Sequence, residues 1–120
     1  MGKKFDGGKL RYGLIPPSST RALASVLTFG AQKYGPNNWQ SVEQGEERYT
    51  DALMRHLEAY RGGEDIDEES GMSHLWHAMT NIAFLIHFED QANVVKSLMP
   101  RPVSAEKAAI IAEAVNSGRH

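Results

Sequence analysis

Between Glu64 and Asn81 the chain reads EDIDEESGMSHLWHAMTN. Glu64, Asp65, Asp67, Glu68 and Glu69 crowd one short loop. After a Ser-Gly pair, His74, His77 and Asn81 follow at steps of three and four, which places them on one face of a helix. Oxygen donors beside imidazoles are what a divalent cation, or a cation carrying a phosphate chain, requires. Two physical readings stand side by side. In the first, Glu64, Asp67 and Glu69 join His74 and His77 on a metal that holds phosphates, with Glu64, Asp67 and His56 serving the chemistry. In the second, the histidines only donate hydrogen bonds to buried acids and brace the loop, since buried acids need such partners. Both hold at once where imidazoles support ligands from behind.

The elements that must position these groups read as helices. Ser18 or Ser19 caps a first helix after the Pro16-Pro17 pair. Its apolar face is Leu23, Val26, Leu27, Gly30, Ala31 and Tyr34, and Gly35-Pro36 ends it. Trp39 then stands in a turn-rich loop. Residues 43–62 form a second helix with an inward face of Tyr49, Ala52, Leu53, His56, Leu57 and Tyr60, stopped at Gly62-Gly63. A third helix is expected from near Ser70 to about Val95. One of its stripes is Met72, Leu75, Trp76, Met79, Ile82, Ala83 and Ile86; the other is Ser70, His74, His77, Asn81, Phe84 and Phe88. A helix apolar on two sides is central in a bundle. Pro100 and Pro102 break the chain, and Ser104 caps a last helix to about Val115.

A connection of about seven residues makes the second and third helices antiparallel neighbours. His56 and His77 then lie at one height, His74 faces Ala59, and Asn81 faces Ala52. The small alanines leave a pocket about 11 Å deep, two helical turns. The fold class expected is all-α, a bundle of four to five helices with a non-helical N-terminal arm. Its divisions are the arm at 1–17, the helical catalytic domain at 18–98, and a C-terminal helix at 103–117 packing on the domain or on a partner subunit.

Other residues can serve a phosphate ligand. Lys4, Lys9 and Arg11 lie on the arm, whose Phe5, Leu10, Tyr12, Leu14 and Ile15 are apolar enough to dock on the body or on a partner. Lys33 and Arg55 can hold phosphates, the arginine in forked fashion, although Arg55 pairs equally well with Asp51 one turn back. Tyr34, Asn38 and Trp39 are candidates for stacking on and reading a base, with Asn81 beside them. A loop tryptophan also serves as a packing plug.

Bulk properties bound the rest. One domain is expected from 120 residues. A net charge of −2 and a pI near 6.2 leave no basic field for a nucleic acid polymer. No cysteine occurs, so disulfides and thiolate metal sites are excluded. No apolar run approaches the roughly 20 residues of a membrane span, and MGKKFDGG lacks a signal core. A cytoplasmic protein is expected.

RYTDALMRHLEAYRGGEDIDEESGMSHLWHAMTNIAFL, preceded by KFDGGKLRYGLIPP and FGAQKYGPNNW, resembles the phage dATP/dGTP diphosphohydrolase family, relatives of the MazG-like nucleotide pyrophosphatases. The likeness covers about residues 3–90. It implies a MazG-like all-α fold, a homo-oligomer (dimer or tetramer), and cleavage of a purine deoxynucleotide, dGTP or dATP, to monophosphate and pyrophosphate with Mg²⁺ or Mn²⁺. It also implies a role in a phage nucleotide pool, in the cytoplasm of an infected cell. MazG-like proteins hold metal on Glu-x-x-Glu and Glu-x-x-Asp helices. The literal match here, Glu43 to Glu46 and Glu64 to Asp67, spans a whole helix of roughly 25 Å, too far to share an ion. Two rivals remain: a non-catalytic helical nucleotide sensor or adaptor, and an HD-type phosphohydrolase, against which stands the absence of a His-Asp dipeptide.

Overall fold

A computed structural model describes residues 7–96 and 105–117. Its α-helices are α1 (Pro17–Tyr34), α2 (Gly45–Arg61), α3 (His74–Lys96) and α4 (Ala105–Ser117), with single 3-10 turns at Tyr12–Leu14 and Asn38–Ser41. Among the described residues the only β-type pairing is an isolated bridge between Ile66 and Ser73. The protein is all-α. Two compact units divide it, Met1–Phe88 and Glu89–His120. The second holds the end of α3 and α4, on which Ile110, Ile111 and Val115 are exposed.

Local chemistry sets the boundaries. Pro17 opens α1 at the first helical position, where its missing N–H costs nothing; neither Ser18 nor Ser19 caps it. The arm is not wholly non-helical, because the Leu14 and Ile15 amides close a turn on Arg11 and Tyr12 carbonyls. That turn stops after three residues because the Pro16-Pro17 pair cannot extend it. The arm's apolar side chains stay in solvent: Leu10 is 77 % exposed and Tyr12 72 %. Lys4 and Phe5 lie outside the described residues.

α2 starts at Gly45, two residues later than the sequence suggests, because Gln44 before it is left-handed, with φ 54°. A Cβ at Gly45 would stand 3.2 Å from the Phe88 ring and 3.3 Å from Tyr49, so glycine lets α2 approach α3 without those rings shifting. At the far end Gly63 has φ 98°, a conformation that side chains resist. The turn there returns the Glu64 amide to the Ala59 carbonyl at 2.9 Å.

α3 begins four residues later than expected. Ser73 caps it, its Oγ accepting from the Leu75 amide at 3.1 Å. Ser70 belongs instead to a pinned loop, in which the Asp67 amide meets the Met72 carbonyl and the His74 amide meets the Asp65 carbonyl. The α2–α3 connection therefore runs over residues 62–73 rather than about seven. Among the described residues the buried apolar ones are few: Ala22 and Val26 from α1 and Ala78 from α3. His74, Thr80 and Asn81 are buried beside them. The polar stripe of α3 thus faces inward, while Leu75, Ile82 and Ile86 on its other side are exposed.

Candidate functional site

α1, the Trp39 turn, α2, the pinned loop and α3 enclose a cavity of about 820 Å³. Its two ends differ in chemistry. At the loop end stand His56, Asp67 and His77, with Lys33, Glu69 and Arg55 around them; Trp39, Tyr49 and Phe84 wall the other end.

The loop end is a connected network. Asp67 accepts from both the amide and the hydroxyl of Ser70, at 3.0 and 2.9 Å. Ser70 Oγ lies 2.6 Å from His77 Nε2 and accepts from the Met72 amide. A hydroxyl has one proton; with that proton on Asp67, His77 must donate from Nε2. Asn81 ties the next turn by donating from Nδ2 to the His77 carbonyl. His56 lies flat against His77, with ring centres 4.6 Å apart, and its Nδ1 stands 2.8 Å from His74 Nδ1. His74 is buried, and its Nε2 has no hydrogen-bond partner. Glu64, the nearest carboxylate, is 3.6 Å away, beyond hydrogen-bond reach.

Burial, reinforced by the neighbouring imidazoles, lowers the pKa of His56 below its ordinary value. Burial also lowers that of His77, against the pull of Asp67. Burial tends to raise the Asp67 carboxyl, but its two hydrogen bonds from Ser70 and the nearby imidazoles together bring it below the ordinary value. His56 and His77 are thus held toward the neutral form and Asp67 toward the ionised form. One donor atom from each of His56, Asp67 and His74 lies within 4.8 Å of the others, close enough for one ion.

The remaining candidates are placed as follows. Glu69 pairs with Lys33, and that pair with Tyr34 raises the lysine pKa. Glu64 is exposed and does not line the cavity. Lys33, Tyr34, Asn38, Trp39, Arg55 and Asn81 all line it, whereas Lys9 and Arg11 do not. Trp39 is a plug: it stacks on Phe84 at 4.3 Å, meets His87 and Phe88 edge-on, and receives the Tyr49 hydroxyl on its carbonyl at 2.8 Å. Two contributors do not stand out from residue spacing around the histidines: Arg48, which lines the cavity, and Ser70, which braces Asp67 and His77. The second carries a faint signal, since Ser70 sits three residues after Asp67 and seven before His77.

The described residues form an all-α protein in which a histidine–carboxylate cluster lies beside a cavity of about 820 Å³. A family model described as dATP/dGTP diphosphohydrolase, N-terminal, matches residues 1–97, and the chain belongs to that family. It is also 42 % identical over 84 residues to a dATP/dGTP diphosphohydrolase of Salmonella phage PMBT28. That match covers 70 % of this chain but 28 % of the relative. No solved structure matches the chain.

Proposed function

We propose that the protein hydrolyses purine deoxynucleoside triphosphates, dGTP or dATP, to the monophosphate and pyrophosphate, adjusting a phage nucleotide pool in the cytoplasm of an infected cell. The observation that carries this reading is the meeting of His56, Asp67 and His74 beside a cavity of about 820 Å³, within the segment that matches the family. Lys33, Arg48 and Arg55 hold the phosphates, and the exposed Tyr34 ring stacks on the base with Asn38 beside it. A divalent ion, Mg²⁺ or Mn²⁺, held by His56, Asp67 and His74 would neutralise charge on the phosphate chain.

Asp67 lines the cavity and Glu64 does not, so Asp67 is the carboxylate that orients the attacking water. The water oxygen bonds to the α-phosphorus, the bond from that phosphorus to the α–β bridging oxygen breaks, and pyrophosphate leaves. The water's proton passes through Asp67 to solvent. Ser70 and His77 keep Asp67 in place throughout.

Self-association is part of the proposal. Leu10, Tyr12 and Leu14 of the arm and Leu75, Ile82 and Ile86 of α3 are exposed, and a second copy of the chain would cover such surface. The test is product analysis over the four common deoxynucleoside triphosphates with Mg²⁺ and with Mn²⁺. Pyrophosphate from the purine substrates is expected. Absence of release with every substrate would favour a non-catalytic sensor or adaptor, and orthophosphate or triphosphate as product would favour HD-type chemistry.

A further inference from the structure

We infer that the ion at His56, Asp67 and His74 is a nitrogen-accepting first-row transition ion, of the Mn²⁺ to Zn²⁺ series, rather than Mg²⁺. The inference rests on the metal-dependent reading above and narrows it.

The donor set decides between the ions. Mg²⁺ takes oxygen ligands almost exclusively and keeps several waters. Imidazole nitrogen suits the first-row transition ions, and affinity rises from Mn²⁺ toward Cu²⁺. Here the only carboxylate of the group is Asp67, beside two imidazoles. The nearby acids do not alter that balance, because Glu69 pairs with Lys33 and Glu64 is exposed.

The geometry of the two rings agrees. His56 Nδ1 and His74 Nδ1 face each other at 2.8 Å. Adjacent donors each about 2.1 Å from one ion stand about 3.0 Å apart in octahedral and about 3.4 Å apart in tetrahedral coordination, so the two rings, now a hydrogen-bonded pair, need only separate slightly to share an ion. His74 is 5 % exposed with an unpartnered Nε2, and that atom faces Glu64 at 3.6 Å. With Nδ1 beside His56, Nε2 is the nitrogen left to carry the proton, and among the described residues it has no hydrogen-bond partner. Asp67 is prepared in the same way. Both hydrogen bonds from Ser70 go to Oδ2; among the described residues Oδ1 receives none, which leaves it free for the ion. His77 Nε2 is engaged with Ser70, so His77 supports the site from behind.

The test is binding of Mn²⁺ to the full chain without nucleotide, followed by electron paramagnetic resonance, with Mg²⁺ as competitor. Expected are one Mn²⁺ per chain, pulsed-resonance coupling to imidazole ¹⁴N, and retention of that ion against about a 100-fold excess of Mg²⁺. His74→Ala should remove the nitrogen coupling or weaken binding at least about 10-fold, with helical content checked by circular dichroism. The wild-type competition needs no variant and stands if that one misfolds. Displacement by equimolar Mg²⁺, absence of ¹⁴N coupling, or failure to bind Mn²⁺ would each overturn the inference. Full pyrophosphate release with Mg²⁺ and no nitrogen coupling would sink it while leaving the hydrolase reading intact. A tightly held, nitrogen-coupled Mn²⁺ without turnover of any triphosphate would do the reverse.

Discussion

The two ends of the cavity are built by opposite means. At the loop end, Asp67, Ser70 and His77 are held by directed contacts of 2.6 to 3.0 Å, and His56 and His74 meet nitrogen to nitrogen. At the other end, Trp39, Tyr49, Phe84 and Phe88 are held by ring packing at 4.3 to 6.2 Å. A directed network fails when one member is removed, because its partner is left buried and unpaired. A ring cluster fails by leaving a void, at a cost set by how far its surroundings can collapse. The loop end should therefore govern chemistry, and the aromatic end stability.

The largest expected effect is at the loop end. Asp67→Asn should lower pyrophosphate release by about 1000-fold while the circular dichroism of the helices is retained; a loss under 10-fold would break the contrast. Next comes Trp39→Ala, which should cost about 2–3 kcal/mol, less than a fully buried tryptophan because Trp39 is half-buried. Denaturant titration measures it, and the turnover number of the remaining folded enzyme should stay within a few-fold of the parent.

Ser70→Ala should show both behaviours on a smaller scale. Losing the hydroxyl leaves Asp67 and His77 each short of a partner, about 1–2 kcal/mol, and metal affinity measured by calorimetry should drop about 10-fold to 100-fold.

The pH dependence of the melting temperature separates the ends by sign. His56 and His77 have lowered folded values, so the unfolded chain takes up protons first. Their contribution is full above the ordinary 6.5 and is lost as pH falls through it toward the folded values. Asp67 is also lowered, and its contribution is lost as pH falls below 3.8. Burial raises Tyr49, so the aromatic end keeps its contribution below pH 10 and loses it as pH rises above that. A melting temperature that does not change between pH 7.5 and 5.5 would contradict the burial of the imidazoles. The smallest effect is expected for Glu69→Gln. Its partner Lys33 is exposed, so the melting temperature should not move, while KM for the triphosphate should fall about two-fold as the lysine is released for phosphate.

Much of this was legible in the chain. The steps of three and four in His74, His77 and Asn81 put them on one inward face, and the antiparallel hairpin brought His56 to them. Gly62-Gly63 ended α2 as its turn chemistry dictates. The start of α3 does not follow from local sequence, because Ser70 and Ser73 are equally good caps; only the contacts of Ser70 with Asp67 and His77 leave the capping to Ser73. The arm also read as apolar enough to dock, yet its side chains remain in solvent on this unit.

The type of each element and the inward turn of the histidine stripe follow from periodicity and from glycine and proline punctuation, which act over a few residues and are written in order along the chain. Which acid stands beside which imidazole does not follow from spacing. Glu64, Asp67 and Glu69 are alike in sequence, but the pinned loop sends Asp67 into the cavity, leaves Glu64 exposed 3.6 Å from His74, and gives Glu69 to Lys33 from α1. That sorting depends on hydrogen bonds and an ion pair between residues distant in the chain, and those exist only once the helices have packed.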